Sequence, residues 1–162
     1  FLDGYSYTIL KDDEGHRYLY SYVIMYQWGW ESVVKKKKYL LDKATDFDKA
    51  KFFGASAQRT YLIYATGSKL YAYDYVAEKV QLLQDFGDQE ITLLHCDLLV
   101  ETGAGDDFFY VGTYDPSLPK ETGGTLTKYR VVNDPNNIIV EKVPGFSWSG
   151  LCKIKSIDFK KN

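Results

Sequence analysis

The chain has 162 residues, 45% hydrophobic and 26% charged, with 20 basic and 22 acidic side chains for a net charge of −2. That is enough chain for one domain with a real core, and no apolar run is long enough for a membrane-spanning helix. The balance lacks the basic surplus of a nucleic-acid binder, and two cysteines make neither a disulfide framework nor a zinc site.

Aromatic residues, at 17%, include 15 Tyr, 9 Phe and 3 Trp. Such rings favour strands, where they pack on a pleated face. Period-two patterning runs through the chain. Strands are predicted over Tyr5–Leu10, Arg17–Ile24 and Ser32–Leu41, with Asp12-Asp13-Glu14-Gly15 as the first turn. A helical turn fits somewhere within Leu41–Lys51. A second round covers Lys51–Ala57, Tyr61–Thr66, Lys69–Tyr75 and Lys79–Phe86, with Gly67-Ser68 as a two-residue hairpin turn. A third covers Ile91–Leu98, Phe108–Tyr114, Gly124–Val132 and Ile138–Val143, with turns at Gly103–Asp107, Asp115–Gly123 and Asn133–Asn137. Ile154–Phe159 then resembles Ile91–Leu98.

The rounds repeat. Leu70 and Leu126 lie 56 residues apart, as do Tyr73 and Tyr129; Phe86 and Phe146 are 60 apart and Ile91 and Ile154 are 63 apart. The drift falls in the turns, where insertions are tolerated. With strands lettered a to d, the chain reads bcd, abcd, abcd, a. Four-stranded repeats of this kind predict an all-β fold of β-propeller-like blades, about three of them, with a β-sandwich as the alternative. The expected organisation is one β-repeat domain over 1–162, with units near 1–50, 51–88 and 89–146 and a closing strand in 152–162. Three blades are fewer than the roughly 4–8 of a closed ring. Either further blades precede Phe1, or two copies complete a ring as a homodimer. The chain opens without Met or a leader segment, and it is read as part of a longer protein.

YLIYATGSKLYAYDY with VQLLQDF, then FFYVGTYDPS, GGTLTKYRVVNDPNN and KIKSIDFKKN, resemble the C-terminal part of the PKD-like family of surface lipoproteins of Gram-negative gut commensals. YTILKD and HRYLYSYVI fit the preceding repeat. The resemblance implies a propeller-like region following Ig-like modules, lipid-anchored at the cell surface (outer membrane) or in the periplasm. It also implies proximity to starch-utilisation-type uptake systems and contact with polysaccharide or an outer-membrane protein. It carries over no catalytic residue.

Read from the residues, His16 beside an acidic turn is a solvated hairpin residue. His95-Cys96-Asp97 has the residue types of a Cys–His pair, but strand neighbours point to opposite faces and cannot act as nucleophile and base. Both thiols, Cys96 and Cys152, are expected to be buried and free, with a single bridge between them as the alternative. Gly103-Ala-Gly105 lacks the following helix of a phosphate loop. Asp12-Asp13-Glu14 and Asp106-Asp107 carry oxygen ligands for a hard cation without EF-hand spacing; no metal or cofactor is assigned. Lys35–Lys38 fits an exposed edge strand, where Lys discourages edge pairing, or a polyanion patch that suits acidic polysaccharide better than nucleic acid. Tyr26, Trp28, Trp30 and Trp148 are the candidate binding residues, since exposed rings stack on sugars or anchor partners. The expected role is a non-catalytic binding module. An interaction scaffold is the alternative, and a glycan-active hydrolase, for which no carboxylate pair is readable, comes third.

Overall fold

The computed structural model describes residues 4–27, 30–50, 52–55, 61–97, 107–133 and 137–157. The protein is all-β, built from three antiparallel sheets of strands that follow one another in sequence. Sheet I contains β1 (Gly4–Lys11), β2 (Arg17–Gln27) and β3 (Trp30–Leu40). A 3-10 turn, Phe47–Lys49, then leads to sheet II, with β4 (Phe52–Ala55), β5 (Tyr61–Thr66), β6 (Lys69–Asp74) and β7 (Lys79–Asp85) in that order. Sheet III contains β8 (Glu90–Asp97), β9 (Asp107–Tyr114), β10 (Gly124–Asn133) and β11 (Ile138–Leu151), again in chain order. Among the described residues no sheet closes on itself.

Aspartates write the turns. Asp12 Oδ1 accepts the amides of Glu14 (3.1 Å) and His16 (2.8 Å). Asp74 Oδ1 accepts those of Val76 and Ala77, both at 2.9 Å. Asp85 and Asp115 each accept the amide two residues on, from Gly87 and Ser117, at 2.9 Å. A side-chain oxygen returning to a nearby amide reverses the chain without help from a ladder. Those bonds hold the Asp85 and Asp115 carboxyls below the ordinary carboxylate range; the backbone amide of Gly87 is the leading cause for the first, the Ser117 hydroxyl for the second. The two-residue β5–β6 turn places Gly67 at φ 59°, a conformation that costs glycine little.

The chain divides into two compact units, Phe1–Thr45 with Tyr73–Val80, and Asp46–Ala72 with Gln81–Asn162. In the first, Leu19 and Leu41 are fully buried. The Tyr73 hydroxyl donates to the Leu40 carbonyl at 3.3 Å, the Tyr39 and Tyr75 rings meet at 4.5 Å, and Lys43 pairs with Glu78. Burial raises the Tyr73 phenol above its ordinary pKa.

In the second unit the inward faces of sheets II and III share one core. Tyr61, Ile63 and Leu70 of sheet II cluster with Ile91, Phe109 and Tyr129 of sheet III. Phe109 and Tyr129, paired across β9 and β10, stack at 5.5 Å and 15°. On its other face β5 presents Tyr64, which stacks on Tyr71 at 5.3 Å and meets Phe47 edge-on at 5.2 Å. The Gln81 amide joins the two sheets: its Nε2 donates to the Ile138 carbonyl (2.6 Å) while its Oε1 accepts the Ile138 amide (3.0 Å).

Three details differ from expectation. β11 runs through Pro144 and Gly145 to Leu151, whereas the sequence suggests a stop at Val143. The described part of the Ile154–Phe159 segment, up to Ile157, forms no ladder. Cys152 is free but exposed, because it lies just past the end of β11 at the surface.

Two outcomes follow for urea unfolding. Phe109→Ala removes a fully buried ring and its stacking contact with Tyr129, and should cost about 3–5 kcal/mol. Gln81→Leu leaves both polar groups of Ile138 without that partner and should cost about 1–3 kcal/mol.

Candidate binding face

Strand alternation sorts sheet III into two faces. Phe109, Val111, Tyr129 and Val131 point into the shared core. Their neighbours Phe108, Tyr110, Leu126 and Lys128 therefore belong to the opposite, outer face. There the Lys128 ammonium sits over three rings, 4.6 Å from the centroid of Phe108, 5.3 Å from Tyr110 and 5.2 Å from Phe146. Trp148 meets Phe146 edge-on at 5.9 Å. Trp148 and Phe146 are 43% and 42% exposed, so the rings are accessible on the last strand of the sheet.

How β11 displays Trp148 follows from its register. Near its start, Val140 pairs with Val131 and Lys142 with Tyr129, so even-numbered residues share the inward face. Past an irregularity, Ser147 pairs with Thr127 and Trp148 with Leu126. Five steps along β11, from 142 to 147, match two along β10, from 127 to 129, so three extra residues are inserted. An odd insertion exchanges the two faces of a strand. Ser147 then turns inward, bonded to the Thr127 hydroxyl at 3.0 Å, and Trp148 turns outward. Gly145, at φ 78°, sits inside the insertion, where residues with side chains are strained.

Of the other predicted residues, Trp28 lies outside the described residues. Tyr26 pairs with Glu31, and Trp30 with Gln27, so the chain reverses between Gln27 and Trp30; the side chains of Tyr26 and Trp30 lie outside what is described. Sequence reasoning singled out Trp148 but missed Lys128 and Phe146, although the alternation of FFYVG and TLTKY places Lys128 among aromatic neighbours.

Lys35–Lys38 lies on β3, an edge strand of sheet I, as an edge-guarding run requires. Lys38 Nζ stands 3.6 Å over the Tyr18 ring and 5.9 Å from Tyr20. His95 pairs with Tyr110 across β8 and β9. The side chain of Cys96, together with Gly103–Gly105 and Asp106, lies outside the described residues, as does the side chain of Asp107. Among the described residues no three His, Cys, Asp or Glu side chains converge, and no helix is long and apolar enough to cross a membrane.

His16 is exposed, as expected, but it is not idle. Its Nδ1 bonds Asp42 Oδ2, while Asp42 Oδ1 accepts the Arg17 amide at 3.1 Å, and Glu14 lies 3.8 Å from Nε2. The pair ties the start of β2 to the residues that follow β3. The hydrogen bond to Asp42, then its charge, raises His16 above its ordinary 6.5; the same bond, then the Arg17 amide, lowers Asp42 below 3.8.

Comparison with protein-family models, with curated proteins and with solved structures finds no match to this chain.

The pair sets a pH window. The His16 contribution is complete below pH 6.5 and fades as pH rises through its raised folded value; the Asp42 contribution is complete above 3.8 and fades as pH falls through its lowered folded value. An NMR titration of the imidazole should place His16 above 6.5, and Asp42→Asn should return it toward that figure.

Proposed function

We propose that this protein is a non-catalytic binding module of propeller-like repeats, working at the cell surface or in the periplasm of a polysaccharide-uptake system. The observation that carries the reading is the outer face of sheet III, where half-buried Lys128 stands beside the exposed rings of Phe146 and Trp148. Flat rings stack on the apolar faces of sugars, and an ammonium among them adds a hydrogen-bond donor and attraction for acidic groups. The stretches that resemble PKD-like surface lipoproteins support the setting. Three successive antiparallel sheets of consecutive strands support the blade reading.

An interaction scaffold is the second reading, and a specific observation favours it. Tyr61, Ile63 and Leu70 use one face of sheet II to receive sheet III. At the corresponding repeat positions, Phe108, Tyr110 and Leu126 lie on the outer face of sheet III. A face that receives a sheet in one repeat is suited to receive one in the next.

Intrinsic Trp fluorescence, titrated with neutral and acidic polysaccharides, separates the readings. Glycan binding predicts a saturable change with at least one polysaccharide that Trp148→Ala weakens by about tenfold, the scale of one lost stacking contact. A response that survives Trp148→Ala moves the site elsewhere. No response to any polysaccharide favours the scaffold, and turnover of a glycan by the purified protein overturns the non-catalytic assignment.

A further inference from the structure

Sheets I and III each hold a lysine over a pair of rings, and they do so in the same way. In sheet III, Lys128 on β10 is paired with Tyr110 on β9. Its ammonium lies 5.3 Å from the Tyr110 centroid and 4.6 Å from that of Phe108, two residues earlier on the same strand. In sheet I, Lys38 on β3 is paired with Tyr20 on β2. Its ammonium lies 5.9 Å from the Tyr20 centroid and 3.6 Å from that of Tyr18, again two residues earlier. Residues two apart on a strand share a face, so each lysine reaches diagonally to the earlier ring. In sheet I that face points away from the core of its unit. Leu19, between the two tyrosines, is fully buried, and its cross-strand partner Tyr39 meets Tyr75. On the tyrosine face, Leu10 lies opposite Tyr18 and is exposed, as is Lys38, while Tyr18 and Tyr20 are half-buried.

The two lysines share a second property. Lys43, Lys49 and Lys153 each pair with a carboxylate, on Glu78, Asp46 and Glu90. Among the described residues Lys38 and Lys128 pair with none, and both ammoniums stand on rings instead. A ring face attracts an ammonium without neutralising it, so its N–H donors remain open to an anion.

We propose that the outer face of sheet I is a second carbohydrate-binding site, and that it and the sheet III site take a polysaccharide whose sugars bear carboxylates. A uronate sugar supplies both complements at once. Its apolar C–H face suits Tyr18 and Leu10, and its carboxylate accepts from the Lys38 ammonium in a charge-assisted hydrogen bond. A neutral sugar leaves that ammonium without a counter-charge, and an acidic peptide brings the charge without a flat apolar ring to stack. The net charge of −2 gives no general attraction for a polynucleotide. The proposal rests on the glycan reading of sheet III for its ligand class, and adds to it a requirement for acid and a second site.

Calorimetry on the full chain tests it, with oligogalacturonate as the acidic probe, a maltooligosaccharide of equal length as the neutral one and polyglutamate as the acidic peptide. The expected result is two sites per chain for oligogalacturonate, weakened by salt, and much weaker binding of the other two probes. Lys38→Met keeps the side-chain stem and removes the charge; it should weaken one site by about tenfold, the scale of one charge-assisted hydrogen bond. Lys38→Arg should keep that site, and Trp148→Ala should weaken the other. If Lys38→Met misfolds by circular dichroism, the site count of the unaltered chain and of Lys38→Arg decides. Binding at a single site that Lys38→Met leaves unchanged and Trp148→Ala weakens overturns the second site and leaves the sheet III module standing. Binding that Lys38→Met weakens and Trp148→Ala does not supports the sheet I site and removes the sheet III reading. Equal affinity for the maltooligosaccharide or for polyglutamate overturns the acidic-sugar assignment, and a chain that binds none of the probes overturns the whole proposal.

Discussion

The structure of the second unit depends on one constraint: the central strands of sheet II are apolar on both faces. Tyr61 to Ala65 are buried without a break, as are Leu70 to Tyr73. A strand alternates its side chains, so such a run cannot be satisfied by a single neighbour. One face meets the Phe109–Tyr129 stack of sheet III, and on the other Tyr64 and Tyr71 are met by Phe47. Burial of large rings on both sides supplies the apolar area, at roughly 25 cal/mol per Å2, that described residues without an α-helix need. It also makes a four-stranded sheet a unit that requires company, and repeated sheets are one way to provide it.

Function on this scaffold is a matter of parity. Sheet III inherits the two-faced pattern, but its outer face meets solvent along β11, where Phe146 and Trp148 stand exposed. The three-residue insertion decides which residues of β11 appear there. Ahead of it Val140 serves the core; beyond it Trp148 serves the surface. A single strand thus contributes to core and candidate site in succession.

Much of the fold was legible because its signals are local. Strand positions followed from alternation, and the turns followed from Asp and Gly, whose roles are short-range bonds such as Asp74 to Val76 and Asp85 to Gly87. The all-β class and the succession of three strand sets follow from the same patterns. What escaped depended on register or on distant partners. Pro144 and Gly145 read as the end of a strand because ladder continuity through an edge cannot be seen in composition. Cys152 read as buried because cysteine usually is, whereas its exposure depends on where β11 ends. The His16–Asp42 bond joins residues 26 apart, and the Lys128 cluster joins β9, β10 and β11, so neither has a signature within one strand.

The insertion in β11 bears as well on solubility. β11 is an edge strand of 14 residues, the kind of long open edge along which chains stack into aggregates. Pro144 offers no amide to an incoming strand, and Gly145 at φ 78° bends the backbone out of the pleat. No flat template longer than about half the strand remains on either side. The irregularity that turns a tryptophan toward solvent therefore also guards the edge that carries it against runaway stacking.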